Sequence, residues 1–326
     1  MRPTVRGLVW DLDDTLWRGD VSLPSAGAVG ILHALDRRGI LHAATGRSDH
    51  TVALARHGLV DLFSVLDFGR VAKSGPVRVA ASTLDIPLET VALVSGDPAT
   101  RAEVAAALPA VRCYPAAMVD RLPELDEFTP AVVTTNSRDR RHIVRAEQRR
   151  RTASVTHPGT SASFVASLGL ELEVRPPRSG DLPVVAGFTT TGRRFDPAEL
   201  AALADDPRHE VLAATLRDRF GPYGVVGFAV LAPGDTATAV ELLMCERVLA
   251  RGAGAAFLDH IVTRTLLAGR RPVAEFVPTT ANRQLLVTLR FSGFEVTAST
   301  RDRMTLTLDP LSPPPARRHP VRVVVG

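Results

Sequence analysis

A chain of 326 residues, 45% of them hydrophobic and 23% charged, has the size of two ordinary domains and the composition of a soluble globular protein. Its apolar runs fall short of the roughly 20 residues that span a bilayer, and its opening residues lack the layout of a signal peptide. A net charge of +4 with 5% aromatic residues argues against nucleic acid as a partner, and only two cysteines, Cys113 and Cys245, point to a reducing cytoplasm.

Val5 to Trp10 is a short apolar run with β-branched residues that reads as a buried strand. It leads into Asp11-Leu12-Asp13-Asp14-Thr15-Leu16-Trp17. Carboxylates crowded in this way repel one another unless a cation is present, and hard oxygen ligands suit Mg²⁺. The C-terminal end of a strand is also where open α/β sheets place their ligands. Ala26 to Arg38 reads as a helix, Ile40 to Ala44 as a strand ending in Thr45-Gly46-Arg47-Ser48-Asp49, and His50 to His57 as a second helix. Lys73 is the single lysine among 39 Lys and Arg residues. A compact ammonium kept in an arginine-dominated chain points to a task that a planar guanidinium cannot perform; chance survival is the plain alternative. Val77 to Leu84 is a helix, and Val91 to Val94 a strand ending in Ser95-Gly96-Asp97.

This alternation predicts a doubly wound parallel sheet. Its strand ends gather Asp11, Asp13, Thr45 and Asp97 on one edge, with Lys73 from a loop. A nucleophilic carboxylate, a metal, a hydroxyl and an ammonium together suit phosphoryl transfer through an aspartyl intermediate. The spacing leaves no room for a cap domain over this edge.

Further on, the arginines from Arg138 to Arg151 fit either a solvated helix face or a docking patch for an acidic partner protein. Pro158, Pro176 and Pro177 bracket a linker. Asp196 and Pro197 start a helix as N-cap and first position. Glu210 to Leu216 and Val225 to Leu231 read as strands joined by the turn Asp218 to Gly224, and Ala239 to Leu243 as another. The glycine-rich turn Arg247 to Gly254 then opens a helix from Ala255 to Leu267. Either its N–H groups receive a pyrophosphate or the glycines serve close packing. Val273 to Val277 is a further strand. Cys245, beside Leu243 and Met244, reads as an inert buried thiol, with a thioester nucleophile as the alternative. The proline- and arginine-rich tail from Pro310 to Gly326 is expected to cross the surface.

Asp11-x-Asp13-x-Thr15, a strand-end hydroxyl, a lysine and a strand-end aspartate resemble the four motifs of the haloacid dehalogenase superfamily. The resemblance implies that Asp11 attacks phosphorus and binds Mg²⁺ through its carboxylate. Asp13 would serve as general acid/base and offer its carbonyl to the metal, Thr45 would hold the phosphate, Lys73 would neutralise charge, and Asp97 would complete the metal site. The sequence departs from the pattern at Ser95 and Gly96, where the subfamily has two adjacent aspartates. The second half, with its strands, glycine turn and helix, resembles the GNAT acetyltransferase fold.

Over nearly the whole chain the combination resembles the FkbH-like proteins of polyketide biosynthesis. Besides the first motif, the carrying segments are Arg101-Ala102-Glu103-Val104, Asp218 to Gly224, Gly252-Ala253-Gly254, Ala274 to Thr279, Asn282-Arg283 and Arg290 to Phe294. The resemblance implies an α/β haloacid dehalogenase-like domain without a cap at 1–135, a basic helix and linker at 136–170, a GNAT-like α+β domain at 171–309 and a tail at 310–326. It implies Arg47, Asn282 and Arg283 as substrate-binding residues and Mg²⁺ as cofactor. The implied reaction dephosphorylates D-1,3-bisphosphoglycerate and loads glyceryl onto the phosphopantetheine thiol of an acyl carrier protein, a step toward methoxymalonyl-type extender units. Two other readings stand beside it: a small-molecule Mg²⁺-dependent phosphatase, and a catalytically impaired binding homologue.

Overall fold

The computed structural model describes residues 3–17, 23–69, 72–311 and 319–326. The chain forms two compact units, Met1–Val133 with Ser137–Arg145, and Thr134–Asn136 with Ala146–Gly326.

The first unit alternates β1 (Gly7–Asp11), α1 (Ala26–Arg37), β2 (Leu41–Gly46), α2 (Thr51–Arg56), β3 (Phe63–Phe68), α3 (Ser74–Leu84), β4 (Val91–Ser95), α4 (Pro98–Ala107) and β5 (Arg112–Pro115). The strands lie parallel in the order β3-β2-β1-β4-β5. Every residue of β1 is buried because both faces of the sheet are covered. Leu8 and Trp10 enter one core with Leu32, Leu35 and Leu54, while Val9 enters another with Val77, Ala80 and Val104. The strand order reflects this division: the chain winds outward from β1 to β3, then returns to β4 on the other side of β1, the arrangement that crossovers of the usual right hand produce. The doubly wound sheet expected from the alternation is what forms. The order reverses between β1 and β4, which places the C-terminal ends of these two strands at the switch point where such sheets hold ligands. Strand β5 carries little strand signal, since Arg112 and Pro115 flank only Cys113 and Tyr114.

Helix α5 (Thr135–Arg138) and helix α6 (Arg140–Thr156) follow. Here the expectation of a solvated arginine face is corrected. In the first unit, Arg140 donates to the Gly39 carbonyl at 3.0 Å, Arg141 grips Asp36 at 2.9 and 3.2 Å, and Arg145 pairs with Asp61 at 2.8 Å. In the second unit, Arg150 is 2% exposed and bonds the fully buried Asp218 at 2.8 and 3.1 Å, its guanidinium stacked 3.5 Å over Tyr223. Arg138, Arg149 and Arg151 are exposed. The basic stretch is thus a helix, and several of its arginines are spent on protein partners rather than on solvent. Asn136 adds a two-way bond to the Val225 main chain, at 2.9 and 2.7 Å.

The rest of the second unit comprises α7 (Ser161–Ser167), β6 (Leu170–Arg175), β7 (Thr189–Thr190), α8 (Pro197–Asp205), β8 (Glu210–Asp218), β9 (Gly221–Pro233), β10 (Ala237–Met244), α9 (Glu246–Leu249), α10 (Ala253–Leu267), β11 (Arg271–Phe276), α11 (Arg283–Phe291), β12 (Glu295–Ser299), β13 (Met304–Thr307) and β14 (Val321–Val325). Its mixed sheet runs β12-β13-β11-β10-β9-β8-β6-β14, with β7 also on β10. Leu212 and Ala214 of β8 join a core with Phe257, Ile261 and Leu285, and Val211 and Ala213 join another with Phe195 and Leu200. Asp196 caps α8 by accepting from Glu199 N–H, as expected. The parallel pairing of β10 with β11 covers only Ala237–Ala239. Beyond it, Thr191 bonds to Leu242 and to Val277, so the chain's own segment bridges the diverging strands.

One expectation changes in this unit. The tail does not merely cross the surface: its end, β14, pairs in parallel with β6 over Val321–Val325. At the glycine turn, Gly254 permits close packing, since a Cβ there would lie 2.7 Å from Leu249 Cδ2. Cys245 is half-buried against the core and N-caps α9. Among the described residues no helix is long and apolar enough to cross a membrane.

Breaking a buried ion pair by removing one partner strands the other charge and costs about 3–5 kcal/mol. Arg150→Ala is therefore expected to destabilise the second unit by that order in urea unfolding. Arg149→Ala, at an exposed position of the same helix, should change stability by less than about 0.5 kcal/mol.

Candidate active site

The last rung of the parallel sheet is polar: Asp67 of β3 pairs with Thr45 of β2, which pairs with Asp11 of β1. Asp11 is 4% exposed. Its Oδ2 accepts a hydrogen bond from the Ser95 hydroxyl at 2.8 Å, while Oδ1 is buried with no hydrogen-bond partner. Burial pushes the Asp11 carboxyl above its ordinary range, and the Ser95 hydrogen bond and the Lys73 charge only partly oppose that. Lys73 is 3% exposed and its Nζ is likewise buried without a partner. Both residues line a cavity of about 660 Å³. Its wall also carries Asp13, Arg47, Gly96 and Asp97. An unpaired buried carboxylate oxygen and an unpaired buried ammonium are each costly on their own. Facing one cavity, they fit a group that is anionic at one end and carries a cation at the other.

The surrounding loops are held by short-range bonds. Lys73 N-caps α3, and its N–H and that of Ser74 donate to Glu103 Oε2 at 3.0 and 3.1 Å. Asp13 Oδ2 accepts from the Arg47 N–H at 2.6 Å, and Asp13 Oδ1 lies 3.2 Å from His50 Nε2. Asp14 adopts a left-handed φ of 57°. Gly96 must be glycine, since a Cβ would lie 2.5 Å from the Asp14 carbonyl oxygen. Its N–H donates to Thr15 Oγ1 at 2.8 Å, and the Thr15 hydroxyl donates to the Asp13 carbonyl at 3.3 Å. The exposed Arg47 side chain pairs with Asp14 at 3.1 Å beside the cavity.

Asp11, Asp13, Arg47, Lys73 and Asp97 thus line one cavity. Thr45 Oγ1 is buried without a partner, and Thr45 is not among the residues lining the cavity. Asp97 is the N-cap of α4: its oxygens accept from the N–H groups of Ala99 and Thr100, each at 3.0 Å, and from the Thr100 hydroxyl at 2.6 Å. Those bonds, the Thr100 hydroxyl first, hold its carboxyl below the ordinary range. Pro98 at the first helical position makes this cap the favoured conformation, so Ser95 rather than Asp97 stands against Asp11. Asn282, in the second unit, has its side chain committed to the protein. It accepts from Thr279 N–H at 2.8 Å and donates to the carbonyls of Thr190 and Val277 at 3.0 and 2.9 Å. These bonds clamp the loop that leads into α11. Arg283 begins α11 and is exposed. His50 and Glu103, which sequence reasoning did not single out as site residues, hold the two most important neighbours of Asp11.

A hard divalent cation suits the free Asp11 carboxylate oxygen and the acidic cavity wall that Asp13 and Asp14 supply beside it. Among the described residues no three His, Cys, Asp or Glu side chains are grouped closely enough to hold a metal ion.

No family model and no curated protein matches the chain. Similar solved structures include the N-terminal part of the protein BF1531 from Bacteroides fragilis, containing a phosphatase domain complexed with Mg. It shares 20% identity at a TM-score of 0.34, the match covering 39% of this chain and 40% of that one. A cobalt-bound deoxy-D-mannose-octulosonate 8-phosphate phosphatase from Haemophilus influenzae is 15% identical at a TM-score of 0.29, over 34% of this chain and 68% of that one. The ribosomal-protein-S18-alanine N-acetyltransferase from Escherichia coli is 14% identical at a TM-score of 0.34, over 42% and 92%.

The raised pKa of Asp11 has a consequence for stability. A carboxyl whose folded pKa exceeds its unfolded value near 3.8 disfavours the folded state increasingly as pH rises through that interval, and fully above it. Asp11→Asn is therefore expected to raise the thermal midpoint at pH 7 in the presence of a chelator. The gain should shrink as the pH falls toward 3.8; thermal denaturation followed by circular dichroism across that range measures it.

Proposed function

We propose that the first unit is a Mg²⁺-dependent phosphoryl-transfer site with Asp11 as nucleophile. The observation that carries this reading is the pair of buried, unpartnered atoms, Asp11 Oδ1 and Lys73 Nζ, facing one cavity. The Asp11 carboxylate attacks phosphorus, and the bond from phosphorus to the leaving oxygen breaks. Asp13 supplies the proton that an alkoxide leaving group needs. Lys73 offsets the negative charge gathered on Asp11 and the phosphoryl group, and the N–H groups bonded to Glu103 keep the α3 N-terminus in place. Bound Mg²⁺ would supply further neutralisation of that charge.

For the substrate we follow the FkbH-like resemblance. The chain takes D-1,3-bisphosphoglycerate in the cytoplasm and removes its 3-phosphate through Asp11, Asp13 protonating the departing alkoxide. The phosphopantetheine thiolate of an acyl carrier protein then attacks the C1 carbonyl, and the bond from that carbon to the 1-phosphate oxygen breaks, releasing phosphate and leaving the glyceryl thioester. The carrier would be the large partner for which a capless site is suited, with the GNAT-like second unit assisting. The internal use of Arg140, Arg141, Arg145 and Arg150 leaves fewer arginines for docking it, namely Arg138, Arg149 and Arg151. A second reading, an impaired binding homologue, draws on two observations: Ser95 in place of a carboxylate beside Asp11, and Asp97 committed to its cap.

Incubating a carrier protein with the chain, Mg²⁺ and enzymatically generated 1,3-bisphosphoglycerate is expected to give a glyceryl adduct in the carrier's intact mass. Asp11→Asn or a chelator should abolish it. An unmodified carrier with Asp11-dependent phosphate release would leave a phosphatase. Neither adduct nor phosphate, with a carrier that other enzymes load, would favour the binding homologue.

A further inference from the structure

Phosphoryl transfer through Asp11 asks two things of Asp13: to give a proton to a departing alkoxide and to take one from water when the aspartyl phosphate is hydrolysed. Its carboxylate must stay in place through both. One hold is the Arg47 N–H on Oδ2 at 2.6 Å. The other is His50, whose ring is 4% exposed and whose Nε2 lies 3.2 Å from Oδ1. In the step where Asp13 acts as a base its oxygens only accept, and the His50 tautomer with hydrogen on Nε2 supplies this bond.

The ring is itself fixed. It stands edge-on to Phe68, with centroids 5.8 Å apart, and 6.3 Å from the Trp17 ring. Gly46 leaves the space it needs, for a Cβ there would fall 2.7 Å from His50 Cδ2 and 3.3 Å from Asp13 Oδ2. A side chain at position 46 would therefore press on both partners of the bond. The surroundings commit one imidazole nitrogen to one carboxylate oxygen beside the proposed nucleophile.

We infer that His50 is a positioning residue for Asp13, acting through Nε2–H on Oδ1; the inference rests on the phosphoryl-transfer reading above. Its effect is separable by half-reaction. With acetyl phosphate, Asp11 takes the phosphoryl group and acetate leaves without needing a proton, so formation of the aspartyl phosphate depends little on Asp13. In the second step a water oxygen attacks phosphorus and the bond from phosphorus to the Asp11 oxygen breaks. The electron pair returns to Asp11, and the proton of the water passes to Asp13. A misplaced Asp13 slows this step.

The test phosphorylates the full chain with radiolabelled acetyl phosphate and Mg²⁺ and follows the Asp11 label after dilution, in wild type, His50→Leu and His50→Gln. Leucine removes the donor and glutamine retains an N–H. His50→Leu is expected to take up label near the wild-type rate and to hold it about 10- to 100-fold longer, the order expected for a hydrogen bond to a charged group. His50→Gln should restore most of the turnover. His50→Met, a flexible apolar filler, reports the same loss where leucine disturbs folding. Label that decays at the wild-type rate in the donorless variants would overturn the inference. So would equal slowing of formation and decay with no recovery in His50→Gln, which is the mark of a structural role. No Asp11 label in the wild type would overturn the phosphoryl-transfer reading, and this inference with it.

Discussion

The Asp11 carboxylate sits almost wholly out of water at the end of a strand buried on both faces, with one oxygen bonded to Ser95 and the other to no protein group. Burial of a charge in this manner is unfavourable unless something neutralises it, and the first unit is arranged around that condition. The switch point between β1 and β4 opens the site. The glycine at 96 lets the β4 loop approach the Asp14 carbonyl. The α3 N-terminus brings Lys73 to the same cavity, where its ammonium also has no protein partner. A site of this kind costs stability in the free protein and gains when ligand arrives.

Elsewhere the chain uses arginine for structure. Planar guanidinium groups bond two oxygens at once, and Arg141 with Asp36 and Arg150 with Asp218 each join segments distant in sequence, while Arg175 with Asp181 closes a local loop. Asp218 shows how much such a residue can carry. It bonds Arg150, the Tyr223 hydroxyl and the N–H groups of Phe220 and Gly221, and so closes the β8–β9 turn. Lysine, a point charge without that fork, remains only at position 73. There the compact ammonium lies buried at the wall of the cavity with no protein partner.

Much of this was legible before the structure. The alternation of apolar runs and helices fixed the parallel sheet, and the acidic run after Trp10 pointed to the strand end that became the site. Asp196-Pro197 announced its helix with the cap it in fact makes. The positions that the sequence left open share one feature, a local pattern that permits two uses. Asp97 before Pro98 is both a strand-end acid and a helix cap, and the cap prevailed because its donors lie within three residues. The arginines of α6 had the spacing of a solvated helix, yet partners such as Asp36, Asp61 and Asp218 lie far away in sequence. His50 gave no signal, since its contact with Asp13 spans 37 residues and depends on a ring fitting over Gly46.

By itself, then, the sequence determined what periodicity and short-range chemistry control: the order of strands and helices, the strand end that bears Asp11, and the residue types gathered there. Tertiary structure alone decided which oxygen of each carboxylate is left free, which arginines are withdrawn from solvent, and that His50 and Glu103 hold Asp13 and Lys73. The physical reason is range. Propensity and capping act over a few neighbouring residues, whereas the partner of a buried polar group is chosen by whichever distant segment packing brings within hydrogen-bond distance.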